Sequence, residues 1–152
     1  MAGRFVAAFD GGSRGNPGPA AWAVVVLDAD GAVVEGHAGT IGRATNNVAE
    51  YRGLVEALRL AEQARAEDVD LASDSELVVR QMLGVYKVRH PDLRPLYDEA
   101  AKRAGAFRSF RIRHVPRGRN ADADRLVNLA LDRAEAAGAG EEIVLRTASG
   151  GS

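Results

Sequence analysis

The spacing of apolar residues first changes at Asn46, and that change restricts the folds open to this 152-residue chain. Before it, Arg4 to Phe9, Ala20 to Leu27 and Ala32 to Thr40 read as strands. The second of these, Ala-Ala-Trp-Ala-Val-Val-Val-Leu, is almost wholly apolar, and Asp30-Gly31 marks the turn into the third. Connections this short make an antiparallel meander. From Asn46 onward Val48, Tyr51, Leu54, Val55, Leu58 and Ala61 recur at helical spacing to about Ala66, with Thr45 or Asn46 as the N-cap. Val69 to Ala72 is a short buried strand. A short helix follows through Leu77, Val78, Gln81 and Met82, stopped by Gly84. Pro91 and Pro95 bracket the entry to another helix that Gly105 ends. Phe107 to Val115 alternates as a half-exposed strand, with His114 on its packed side, and a last helix runs from about Asn120 to Ala136. The order βββαβααβα predicts an α/β fold: a five-stranded mixed sheet, three antiparallel strands followed by parallel ones, flanked by helices.

Residues 1–137 are expected to form one domain. Residues 138–152 read as a C-terminal extension or linker, because Gly138-Ala139-Gly140 and Thr147-Ala148-Ser149-Gly150-Gly151-Ser152 lack the pattern of a packed element. At 46% hydrophobic the chain can bury a core without staples. It has no cysteine, so disulfides and thiolate metal sites are excluded and a metal must be held by oxygen or imidazole. No signal sequence and no membrane-length apolar run are visible, and a cytoplasmic monomer is expected.

The net charge of −1 does not describe a generally basic nucleic-acid binder, but its distribution is uneven. Residues 80–119 hold eleven Lys/Arg against three acids, a local excess of eight positive charges, and the remainder is acidic. A basic region beside an acidic one suits a protein that holds a phosphate backbone and concentrates cations. The plainer alternative is that these arginines solvate helix and strand faces.

Four acids stand at the edges of apolar segments: Asp10 in Phe-Asp-Gly-Gly-Ser, Glu50 in Thr-Asn-Asn-Val-Ala-Glu-Tyr, Asp74 in Ala-Ser-Asp-Ser-Glu, and Asp124 in Asn-Ala-Asp-Ala-Asp-Arg-Leu-Val-Asn. Each alone fits a humbler role: a turn cap, a helix-dipole glutamate, an N-cap, or, for Asp124 and its neighbour Asp122, a dipole-favoured acid. Gathered at one edge of one sheet, they would repel one another strongly, and divalent cations would relieve that repulsion. Paired divalent ions on oxygen ligands cut phosphodiesters. The glycines after Asp10 would let a ligand's backbone approach closely. Asn46 and Asn47 offer both donors and acceptors, which suits sugar hydroxyls and base edges.

These segments, in this order, resemble type 1 ribonuclease H from about Arg4 to Ala136. The matching stretches are the four acidic motifs above and the Gly15-Asn16-Pro17-Gly18 turn. The resemblance implies the ribonuclease H-like fold, two Mg²⁺ per site with Mn²⁺ as a substitute, and Asp10, Glu50, Asp74 and Asp124 as their ligands. It implies an endonuclease that cuts the RNA strand of an RNA–DNA hybrid to leave 5′-phosphate and 3′-hydroxyl ends. It places the 2′-hydroxyl contacts at the backbone of Gly11, Gly12 and Ser13, at Asn46 and at Glu50, adds Asn16 as a hybrid-binding residue, and puts a DNA-phosphate pocket at Arg43 and Thr45. Asp124, and not Asp122, matches the family's Ala-Asp-x-Leu pattern.

Two departures stand out. Many members carry a long basic protrusion, where this chain has only Val85-Tyr86-Lys87-Val88-Arg89-His90-Pro91; Lys87 and Arg89 replace part of its grip. Many also carry a mobile histidine loop ahead of the last acid. Here the loop is short, His114-Val115-Pro116-Arg117-Gly118-Arg119, and Arg117 is the substitute, acting by charge because a guanidinium does not titrate near neutrality. An alternative is a non-catalytic hybrid-binding module of a larger protein, against which the presence of all four acids weighs. Some actinobacterial proteins resembling this one fuse such a domain to a C-terminal phosphatase-like domain, and the linker-like tail is compatible with that.

Overall fold

The computed structural model describes residues 3–137 and 143–146. Strands β1 (Arg4–Ser13), β2 (Gly18–Leu27) and β3 (Val33–Ala44) form the expected antiparallel meander, and α1 (Asn46–Gln63) follows directly. Then come β4 (Asp68–Ser73), α2 (Glu76–Met82), α3 (Arg94–Ala104), β5 (Ser109–His114), a single 3₁₀ turn (Arg117–Arg119), α4 (Ala121–Ala137) and β6 (Ile143–Arg146). The sheet order is β5-β4-β1-β2-β3-β6, with β4 parallel to both β1 and β5.

The α/β class and the first five strands agree with the sequence. Among the described residues a sixth strand joins these five at the edge of β3. Ile143–Arg146 pairs antiparallel with β3 from Glu35↔Arg146 to Ala38↔Ile143, inside the segment expected to be linker. Only three apolar residues, Ile143-Val144-Leu145, stand between a glycine-rich stretch and the tail, too few to read as a strand, and β3 offers them an edge to pair with. The other residues of that segment lie outside the described residues. His114 also departs from expectation: it ends β5 exposed, because the alternation stops at the buried Ile112 and Val115 takes up the packing in the loop.

Period-two alternation sorts the strand side chains onto two faces. Phe5, Ala7 and Phe9 of β1 and Trp22 and Val24 of β2 pack against α1, and the same core continues to Val78 and Val79 of α2 and Ala100 and Ala104 of α3. On the opposite face Ala21, Ala23 and Ala38 receive Val127, Ala130 and Leu131 of α4, while Ala8, Val25 and Ala72 meet Val115 and Ala123. Large residues on one face and alanines on the other let α4 lie close to the sheet. Among the described residues no helix is long and apolar enough to cross a membrane.

Candidate active site

The parallel pairing of β1 with β4 decides where the first two acids meet. The pairing of β1 with β4 ends at Ala8↔Ala72, so Asp10, two residues on in β1, and Asp74, just after β4, stand at one edge. Asp10 shares a face with Ala8, the side covered by α4, whose first turn carries Asp124. Glu50 arrives from the other side, near the start of α1. Two glycines allow that approach. A Cβ on Gly11 would collide with the backbone of Ala49 and Glu50, and one on Gly53 would lie 2.6 Å from the Asp10 carbonyl oxygen. The helix therefore seats against β1 closely enough to bring Glu50 into the cleft.

The four carboxylates line one cleft of about 490 Å³, together with Gly11, Gly12, Ser13, Asn46 and Arg117. Asp10 is only 6% exposed. Burial, chiefly, and the neighbouring Asp74, Asp124 and Glu50 push its pKa from the ordinary 3.8 up to about 8, against a backbone hydrogen bond from Gly11. Burial raises Glu50 to about 7, with Asp74 adding to it, while a hydrogen bond from Ser75 and the charge of Arg117 hold it down. Asp10 thus feels all three other acids, and Arg117 is the cation that Glu50 feels. Among the described residues no three of these side chains stand close enough to share one ion as they are; their mutual repulsion opposes a tighter arrangement. The donor set is nonetheless all oxygen and concentrated beside helix N-termini, chemistry that fits hard divalent cations.

Hydrogen bonds stitch the wall of the cleft. The Asn46 Oδ1 accepts from Ser13 N at 2.8 Å and from Ser13 Oγ at 3.1 Å, and Asn46 N donates to Asn16 Oδ1 at 3.1 Å. The glycine turn is therefore tied to the start of α1, and the Asn46 amide is left with its NH₂ group to offer a ligand. Thr45 is the N-cap of α1 and accepts from Val48 N at 3.2 Å, which settles the choice between it and Asn46. Asn16, Arg43, Thr45 and Asn47 lie outside the lining of the cleft. Arg43 is exposed, with a long 3.5 Å contact from its guanidinium to the Pro17 carbonyl.

Three residues here were missed in the sequence. Arg14 lines the cleft and reaches α4, donating to Asp132 and Glu135 at 2.7 Å each. Ser75 caps α2 while bonding Glu50. Asn120, 2% exposed, donates to the Phe9 carbonyl at 2.9 Å and so pins the start of α4 to the residue before Asp10; its Oδ1 has no partner among the described residues. Asn120 sits in a legible motif, whereas the partners of Arg14 lie more than a hundred residues away and leave no local signal.

Comparison with known proteins gives the chain its relatives. Residues 8–130 match the family described as reverse transcriptase-like. The chain is 52% identical over 126 residues to the bifunctional protein Rv2228c of Mycobacterium tuberculosis, covering 82% of this chain and 35% of that protein. It spans about a third of the length of such mycobacterial relatives. RNase H1 of the halophilic archaeon Halobacterium salinarum superposes with a TM-score of 0.82 at 46% identity, over 86% of this chain and 98% of that one. LC11-RNase H1, solved in complex with an RNA/DNA hybrid, gives 0.81 at 40% identity, over 86% and 99%. With its fold, its four acidic motifs and these relatives in agreement, the chain belongs to the type 1 ribonuclease H family.

Proposed function

We propose that this chain hydrolyses the RNA strand of RNA–DNA hybrids, leaving 5′-phosphate and 3′-hydroxyl ends. The observation that carries this is the meeting of Asp10, Glu50, Asp74 and Asp124, from four separate elements, in one cleft at the carboxyl edge of the sheet. Ribonuclease H relatives, one of them solved with an RNA/DNA hybrid, support the substrate class.

Those four carboxylates would hold two Mg²⁺, or Mn²⁺ in their place. When bound, the ions lower the pKa of the attacking water and neutralise charge on the scissile phosphate. In the reaction a water oxygen bonds to phosphorus, the bond from phosphorus to the 3′ oxygen breaks, and that oxygen takes up a proton. Asp10, raised to about 8 without cations, becomes a full carboxylate ligand once positive charge enters the cleft. Arg117 lies near enough to Glu50 to favour its charged form and to face a phosphate, acting by fixed charge.

The chain's other residues choose the substrate. The backbone of Gly11, Gly12 and Ser13 and the free NH₂ of Asn46 meet 2′-hydroxyls, which only the RNA strand has. Asn16 holds Asn46 in place, and Asn47, exposed on the first turn of α1, contacts the same duplex. Arg43, with Thr45 beside it, grips a DNA phosphate. Lys87 and Arg89, both exposed, take part of the load a longer basic protrusion would carry. Residues 1–137, with β6 added at the edge of their sheet, make up this catalytic domain. The test is cleavage of a labelled hybrid beside the matching RNA and DNA duplexes, with and without Mg²⁺, for wild type and Asp74→Asn. Mg²⁺-dependent cleavage confined to the RNA of the hybrid and lost in the variant is expected. Metal-independent binding without cleavage would instead favour a tethering module.

A further inference from the structure

A buried polar relay runs from the catalytic helix to the loop that presents Lys87 and Arg89. Tyr51, the residue after Glu50, is fully buried, and its hydroxyl donates to Gln81 Oε1 at 2.6 Å. Gln81 lies in α2, is 4% exposed, and donates from Nε2 to the Lys87 carbonyl at 3.2 Å. Among the described residues this is the one side-chain hydrogen bond to the main chain of 85–89; Val85 N and Tyr86 N bond the Arg80 carbonyl of α2 instead. Val88 is buried between Lys87 and Arg89, which are both exposed and have no ion-pair partner among the described residues. Burying Val88 turns its two neighbours outward together, and the Gln81 amide fixes the main chain at the first of them.

A buried amide with both ends satisfied is costly to disturb, because each lost bond leaves a polar atom unpaired away from water. An apolar residue at 81 could fill the same volume. The amide supplies something volume does not, a fixed orientation for a loop of two cations on long, flexible stems. We propose that Gln81 is a positioning residue for substrate binding: through the Lys87 main chain it holds Lys87 and Arg89 where they meet the phosphate backbone of the hybrid. This rests on the function proposed above.

The experiment is steady-state cleavage of a hybrid with Mg²⁺, measured as KM and kcat over a range of salt. The variants are Gln81→Met, Gln81→Asn, Tyr51→Phe, Lys87→Ala/Arg89→Ala, and the triple Gln81→Met/Lys87→Ala/Arg89→Ala. Methionine conserves volume and removes both bonds; asparagine keeps an amide too short to reach the loop, and serves if the methionine variant does not fold. Tyr51→Phe removes the other bond of Gln81 and leaves the tie to Lys87. Gln81→Met or Gln81→Asn should raise KM several-fold with kcat unchanged and weaken its salt dependence, whereas Tyr51→Phe should lower thermal stability and leave KM alone. In the Lys87→Ala/Arg89→Ala background the change at Gln81 should add nothing. Multiplying effects on KM, an equal KM change in Tyr51→Phe, or a loss confined to kcat would overturn the inference, as would an unchanged KM in Lys87→Ala/Arg89→Ala. If wild type cuts no hybrid, the proposed function falls first and takes the inference with it.

Discussion

Asp10 concentrates the physics of the site in one side chain. With its pKa raised from 3.8 to about 8, it keeps its proton in the folded, metal-free protein over a range where the unfolded chain has lost it. The folded state then binds more protons than the unfolded one, so stability falls as pH rises from about 4 to about 8. Glu50, raised from 4.5 to about 7, acts in the same direction over a narrower window. In chelator the melting temperature should therefore be lower at pH 8 than at pH 5; Mg²⁺ should restore it at pH 8, and Asp10→Asn should flatten the pH dependence. A metal-free protein as stable at pH 8 as at pH 5 would contradict the raised values. The acids stood out in the sequence because each lies in a short motif that carries glycine, asparagine or serine at an edge of an apolar segment. Arg14 did not, since only the fold sets Asp132 and Glu135 opposite it. His114 was misplaced because alternation alone does not say where a strand stops.

At the scale of the elements, the site depends on how closely two helices seat on β1. Gly11→Ala puts a methyl group into the backbone of Ala49 and Glu50, which cannot move aside as a side chain would. It should cost more than about 2 kcal/mol in urea unfolding and lower cleavage as well. Arg14→Ala should behave differently. Its ion pairs to Asp132 and Glu135 on α4 are largely exposed, and such pairs contribute about 0.2–1 kcal/mol each. A loss near 1 kcal/mol is expected by the same measurement, and one as large as that of Gly11→Ala would mean that Arg14 anchors α4. The strands and helices up to Ala136 were legible because the hydrophobic period differs between them and turn residues separate them. β6 was not, because its four residues draw their order from the edge of β3 and not from local pattern.

Over the whole molecule charge is unevenly distributed. Acids gather at the carboxyl edge of β1 and β4, and an excess of positive charge runs through residues 80–119. A hybrid spanning both would bring its scissile phosphate to the cations and its flanks to Arg43, Lys87 and Arg89. Arg43→Ala should weaken hybrid binding and reduce the slope of log K against log salt by roughly 0.7–0.9, the loss of one phosphate contact; an unchanged slope would remove Arg43 from the interface. The central claim, that four distant carboxylates share divalent ions at a cleavage site, is tested most directly by diffraction from crystals of Asp124→Asn with hybrid and Mn²⁺. The anomalous signal should show ions bound by Asp10, Glu50 and Asp74 beside an RNA phosphate. An empty cleft, or ions held by other residues, would contradict it.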